Sequence, residues 1–173
     1  MDAASSTPTE PGRRGRRRDA GRRRIPRDEL AVWRGWLRAH ALVVRRLEAD
    51  LLREQEMPLA SYDVLVQLVE APDRRLRMTE LADAVLISRS GLTRLVDRLE
   101  AEGLVRREPC VDDARGLNAV LTDAGYERLR RASSTHLRGV DDYVLSRLST
   151  EELGQLDAIL GKLLAPLPPD PTP

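Results

Sequence analysis

The residues from 88 to 98 set small hydroxyls, guanidinium groups and one carboxylate at helical spacing. On a helix, Ser90, Thr93, Arg94 and Asp97 lie on one side, flanked by Arg89 and Arg98, while Leu92, Leu95, Val96 and Leu99 share the opposite face. A guanidinium pairs in a bidentate manner with guanine, and Ser or Thr hydroxyls reach base edges or phosphates. A helix with such a face suits the major groove of DNA. The plainer alternative is a solvated amphipathic surface helix in which Asp97 balances the arginines around it. The order of the elements around this helix decides between the two.

Ser88 is placed to N-cap the helix, and Gly103 to end it in the C′ role. Just before it, Thr79 reads as the N-cap of a shorter helix with Leu81, Ala82 and Val85 turned inward. Two short helices joined by about three residues form a helix-turn-helix. A strand over 104–109, the polar turn Cys-Val-Asp-Asp-Ala-Arg-Gly and a strand over 117–121 then make a β-hairpin, with Arg115 at its tip. A hairpin directly after the second helix is a wing. Arg74, Arg75 and Arg77 precede the motif and either grip the DNA backbone or stand solvated in a loop. Arg106 and Arg107 alternate on a wing strand, so one of them is expected to face DNA.

Longer helices flank this lobe. One is expected from about 28 to 56, with Leu30, Trp33, Leu37, Val44, Leu47 and Leu51 in one stripe and Pro58 as its stop. A second, about 60–70, ends before Pro72. Thr122 opens a helix to about 147, and Ser149 with Glu152 forms the capping box of a last helix striped by Leu153, Leu156, Leu160, Leu163 and Leu164. A winged domain alone needs about half of this chain. The surplus stripes point to a homodimer, whose two-fold axis would match a palindrome with recognition helices about 34 Å apart.

The net charge of +1 hides a division. Residues 1–28 hold nine arginines against four acids, a net of +5, which leaves −4 for the rest. Residues 1–27 are expected to be a disordered Arg-rich arm, either a solvated tail or a non-specific grip on phosphates. Residues 166–173 read as a Pro-rich tail. The lone Cys110 permits no intrachain disulfide or zinc site, which fits a reducing cytoplasm. It reads as a small packed side chain ahead of a redox group. No apolar run approaches the roughly 18 residues of a transmembrane helix, and the charged N-terminus does not read as a secretory signal.

The stretch 76–125 resembles the MarR family of winged helix-turn-helix regulators. The resemblance rests on Thr79-Glu-Leu-Ala-Asp, on Ser88-Arg-Ser-Gly-Leu-Thr-Arg-Leu-Val-Asp-Arg-Leu-Glu, on Gly103-Leu-Val-Arg-Arg, on Asp113-Ala-Arg-Gly and on Leu121-Thr-Asp-Ala-Gly. It extends over roughly 30–165 when the flanking helices are included. It implies that Arg115 enters the minor groove while Asp113 helps to hold the wing. Ala114 stands where many relatives have a second arginine, so one phosphate contact is absent. It also implies a pocket for a small aromatic or phenolic ligand between the dimer helices and the DNA-binding lobe. Trp33, Trp36, His40, Tyr62 and His136 are its candidate lining, and plain packing is the alternative for each. The peroxide-sensing branch carries a cysteine near its first helix, and this chain has none there.

The fold class expected is mainly α with a small β-wing, in which a winged helix-turn-helix domain carries N- and C-terminal dimerisation helices. The domain spans 28–165, with a DNA-binding lobe at about 60–122 and dimerisation helices at 28–56 and 123–165. Expected DNA contacts are Ser88, Arg89, Ser90, Thr93, Arg94, Arg98, Asp113 and Arg115. The expected partners are double-stranded DNA, a second copy of the chain and a small-molecule effector, with no membrane, metal, cofactor or catalytic residue. The activity expected is transcription regulation, as a repressor. The alternative is a winged-helix protein-interaction module or a ligand-independent architectural DNA-binding module. No Gly-rich phosphate loop, paired-His metal motif or Gly-x-Ser-x-Gly elbow favours an enzyme, and the spacing of His40, Cys110 and Asp112 does not support a triad.

Overall fold

The computed structural model describes residues 25–110 and 113–165, the side chains of 113–115 excepted. The expected arm falls mostly on residues 1–24 and the Pro-rich tail on 166–173, both outside the described residues. Ile25 and Pro26 lead into α1 (Arg27–Gln55), and Pro58 opens α2 (Leu59–Glu70). A 3-10 turn at Pro72–Arg74 leads to β1 (Arg75–Arg77), then to α3 (Met78–Ala84) and α4 (Arg89–Ala101). The hairpin strands are β2 (Val105–Cys110) and β3 (Asp113–Leu121). α5 (Asp123–Tyr143), a 3-10 turn at Leu145–Arg147 and α6 (Thr150–Leu164) complete the order. This is the mainly α winged architecture expected from the sequence. Among the described residues no helix is long and apolar enough to cross a membrane.

Four boundaries differ from the sequence reading. α3 begins before Thr79, because β1 carries the chain to Arg77, whose backbone N–H donates to the Glu80 carboxylate at 3.3 Å. Thr79 is therefore inside the helix and not its cap. The arginine-rich segment ahead of the motif is a strand, paired antiparallel with β3 at Arg75↔Val120 and Arg77↔Asn118. The sheet thus has three strands in the order β1-β3-β2. β3 begins at Asp113, opposite Cys110, so the polar turn is shorter than expected, and the register shifts between Pro109 and Cys110. α5 ends at Tyr143, short of the expected 147, where Val144 leaves helical geometry.

The core lies in the lobe. Leu51, Leu65, Leu68, Leu81, Leu92, Val96, Leu99 and Val105 are all but inaccessible to solvent and pack with Tyr62, Ala119, Leu121 and Leu129. Its elements are joined by specific polar locks. Pro58 cannot cap α2 with a side chain, and Glu48 of α1 does so instead, accepting from the Leu59 N–H at 2.6 Å. Thr122 caps α5 by accepting from the Gly125 N–H, while its hydroxyl donates to the Gly103 carbonyl at 2.8 Å. At Gly125 a Cβ would fall 2.1 Å from the Leu104 carbonyl oxygen, so only glycine lets α5 approach the start of β2 so closely.

The C-terminal part of α1 meets α5 through a polar network. The Tyr143 hydroxyl donates to Asp50 at 2.5 Å, and Arg138 and Arg53 both grip Glu54. Tyr143 is the first cause of the lowered Asp50 pKa, and Arg138 of a Glu54 carboxyl held down at about 2. The Gln55 amide donates to the buried Thr135 hydroxyl at 2.9 Å.

Candidate nucleic-acid interface

α4 presents its two faces as its sequence dictates. Leu92, Leu95, Val96 and Leu99 are buried, while Arg89, Ser90, Thr93, Arg94, Asp97 and Arg98 are exposed. Ser88 is the N-cap, its hydroxyl accepting from the Gly91 N–H at 3.1 Å and lying 3.3 Å from that of Ser90. The Thr93 hydroxyl donates to the Arg89 carbonyl at 3.0 Å. Both hydroxyls thus serve the helix first, with lone pairs left for an outside donor. Arg89, Arg94 and Arg98 pair with no carboxylate among the described residues. Three cations on one open face, with no internal partner, leave their charge for an external anion.

The wing arginines behave differently from expectation. Arg107 turns back onto α4, donating to Asp97 at 2.6 Å, to Glu100 at 2.7 Å and to the Thr93 carbonyl at 3.2 Å. Arg106 pairs with Glu108 at 2.7 Å. Neither is left open, and Asp97 balances Arg107 and not its helical neighbours. A signal for this contact lay in the pair Asp97 and Glu100, one turn apart beside a strand that carries an arginine. Arg74 lies 4.4 Å from the Tyr126 ring centroid and 3.6 Å from Asp123, and Arg75 lies 3.7 Å from Glu108. Asp113 and Arg115 have their backbone in β3, and their side chains lie outside the described residues.

A cleft of about 550 Å³ opens where α3, α4 and the sheet meet. It is lined by Arg77, Met78, Thr79, Thr93, Asp97, Arg107, Gly116 and Leu117.

The candidate ligand residues form two groups. Trp33 and Trp36 are exposed on α1 and contact each other, with ring centroids 5.3 Å apart. Tyr62 stacks on His136 at 4.4 Å, and the Tyr62 hydroxyl donates to Ser133 at 3.4 Å. The His136 Nδ1 is buried without a hydrogen-bond partner among the described residues, and burial lowers the imidazole pKa. His40 is exposed on α1 and joins neither ring pair. Neither described cavity is lined by any of these five residues.

A helix-turn-helix followed by a two-stranded hairpin, whose sheet is completed by a strand ahead of the motif, with an open arginine face on the second helix, is the build of a winged-helix nucleic-acid-binding protein. The MarR family pattern matches residues 55–116. The HTH-type transcriptional regulator PecS of Dickeya dadantii is 31% identical over 131 residues, covering 75% of this chain and 78% of that protein. The transcriptional repressor MprA of Escherichia coli K12 is 32% identical over 117 residues, covering 68% of this chain and 66% of MprA. Sco3205, a MarR family transcriptional regulator of Streptomyces coelicolor whose structure was solved with DNA, superimposes with a TM-score of 0.79 at 42% identity, covering 87% of this chain and 95% of Sco3205. The chain belongs to the MarR family.

Proposed function

We propose that the chain is a sequence-specific DNA-binding repressor that acts in the cytoplasm, occupies a palindromic operator as a homodimer and is released by a small aromatic or phenolic ligand. The observation that carries this reading is the face of α4, where Arg89, Arg94 and Arg98 stand exposed, with no ion-pair partner among the described residues, above a fully buried apolar stripe. Ser88, Ser90 and Thr93 supply hydroxyls to the same surface, and Arg115 enters the minor groove from the wing with Asp113 holding it. The DNA complex of Sco3205 and the repressor function of MprA support the assignment. Occupying promoter DNA is enough to block polymerase.

The second copy covers the apolar residues that one chain leaves open. Leu160, Leu163 and Leu164 of α6 are exposed, as are Trp33, Trp36 and Leu37 of α1. A soluble chain seldom presents such rows to water unless they form an interface. The effector is placed at the Tyr62–His136 stack, where a buried nitrogen lacks a partner and a ring can slide onto rings.

Selection of binding sites from random duplexes tests the DNA reading directly. Arg94→Ala should relax base preference within each half-site, since a bidentate base contact is worth about 1–3 kcal/mol of discrimination. Arg115→Ala should weaken binding with little change in that preference, because the minor groove is read by width and potential. Selection of no sequence by the wild-type protein would reject the proposal.

A further inference from the structure

The contact between α4 and the wing is polar. Arg107 sits on β2 with its side chain 21% exposed, and its guanidinium reaches three acceptors on another element. Asp97 and Thr93 share one terminal nitrogen, at 2.6 and 3.2 Å. Glu100 takes the other terminal nitrogen at 2.7 Å, and its second oxygen accepts the Arg107 backbone N–H at 3.0 Å. The helix is therefore tied to both the side chain and the main chain of the strand. The planar fork of an arginine suits this, whereas a lysine offers one point charge.

Among the described residues, the other ion pairs of this lobe do not join α4 to the hairpin, since Arg75–Glu108 links β1 to β2 and Arg74–Asp123 leads to α5. Arg106 and Glu108 lie on one strand, two residues apart. Arg107 instead ties β2 to α4, and its strand partner in β3 is Ala119. β3 in turn pairs with β1, which leads directly into α3. The tie thus closes a ring through both helices of the motif and all three strands. The cleft of about 550 Å³ lies on this side, lined in part by Thr93 and Asp97 of α4, Arg107 of β2, and Gly116 and Leu117 of β3. The core residues Val96, Leu99 and Val105, through which α4 packs on the sheet, do not line this cleft. The register shift at Pro109/Cys110 gives the hairpin a point at which to bend.

We infer that Arg107 is a positioning residue: bound to Asp97, Glu100 and the Thr93 carbonyl, it locks the β2–β3 hairpin to α4, so that helix and wing meet DNA at one fixed separation. Discrimination at the positions under the wing depends on this lock. The inference rests on the DNA-binding reading above and adds a determinant that touches no base.

The alternative role for Arg107 is a phosphate contact, and charge separates the two. Full-length wild type, Arg107→Gln, Glu100→Gln and Arg107→Lys are compared by the ratio of affinity for a selected operator to that for an unrelated duplex. The lock predicts that Arg107→Gln and Glu100→Gln each lower this ratio at least tenfold, although one removes a cation and the other an anion. The loss should concentrate at positions under the hairpin, with α4 preferences kept and Arg107→Lys intermediate. A phosphate contact predicts that Arg107→Gln weakens every duplex alike, that Glu100→Gln tightens every duplex, and that the ratio is unchanged. That result overturns the lock. Amide exchange of the DNA-free protein gives a readout independent of DNA. In Arg107→Gln, residues 105–121 should exchange at least tenfold faster while those of α2 keep their protection. Unchanged hairpin exchange also overturns the lock, and loss of protection in α2 as well shows a merely structural role. If wild type selects no sequence, the DNA reading fails, and the exchange result still decides whether the lock exists.

Discussion

α4 and α6 are built from the same kind of pattern, leucines at steps of three and four on a helix of similar length, yet they end in opposite states. In α4 the four apolar residues of the stripe are buried to 3% exposure or less. In α6 no residue is buried, and Leu163 and Leu164 stand 61% and 82% exposed. α4 faces α2, α3 and the sheet of its own chain, whereas among the described residues no comparable surface covers α6. An amphipathic stripe is thus only a demand for burial. In the lobe one chain meets that demand, and at the C-terminus the stripe stays open, where the proposed dimer would have a second copy meet it.

The sharpest way to break this comparison is to charge the open stripe. Leu156→Asp with Leu160→Asp should leave the lobe folded but give a monomer by sedimentation at micromolar concentration. Losing the tethered second half-site should cost 10²–10⁴-fold, as an order of magnitude, in operator affinity. A double variant that stays dimeric and binds a palindrome tightly would place the interface elsewhere. In the closed region the matching change is Leu92→Ala, which opens a cavity in a tightly packed core. It should lower unfolding free energy by about 2–5 kcal/mol in denaturant titrations, independent of protein concentration. By contrast, Leu163→Ala should produce a loss that depends on concentration, because it acts through association.

A smaller effect is expected at the Tyr62–His136 stack. Burial lowers the His136 pKa from its ordinary 6.5, so the unfolded chain binds the proton more readily. Its contribution is therefore complete above about pH 6.5 and is lost as the pH falls through the depressed folded value. Thermal melts from pH 8 to pH 5 should show this decline in wild type and a flatter profile in His136→Phe. The Glu54 carboxyl, held at about 2 by Arg138 and Arg53, acts only in a lower window, below its ordinary 4.5.

The smallest effect is expected in the turn of the motif. Leu86 adopts a φ of 54° while 91% exposed, so its backbone is in the left-handed region and its side chain buries little. Leu86→Gly should raise stability by up to about 1 kcal/mol in denaturant titrations without altering operator preference. A loss of stability there would mean that the exposed leucine has a partner in the dimer.

The features that could be read from residues alone share one property, which is short range. The Ser88 cap, the Ser149–Glu152 box and the φ of 73° at Gly103 each arise within a few residues. The alternating faces of α4 follow from helical spacing in the same way. The strand Arg75–Arg77 was not legible, because it is too short to carry a pattern and exists only by pairing with β3, more than forty residues away. The start of α3 followed from it, since the chain arrives from that strand already aligned at Arg77 and not at Thr79. The end of α5 was missed because helical periodicity carries on past Tyr143 while the backbone turns at Val144.

For the site, the sequence alone determined which helix carries the guanidinium face and which side of it is buried, because both depend on spacing along one chain segment. Tertiary structure alone decided which arginines remain open. Arg94 and Arg107 are the same residue type in the same lobe, and although Asp97 and Glu100 mark an acidic edge on α4, spacing along the chain does not say which arginine meets it. Folding brings Asp97 and Glu100 against β2 and consumes the charge of Arg107, while among the described residues no carboxylate is brought to Arg94. A salt bridge between elements is a matter of three-dimensional proximity, which periodicity in one dimension does not encode.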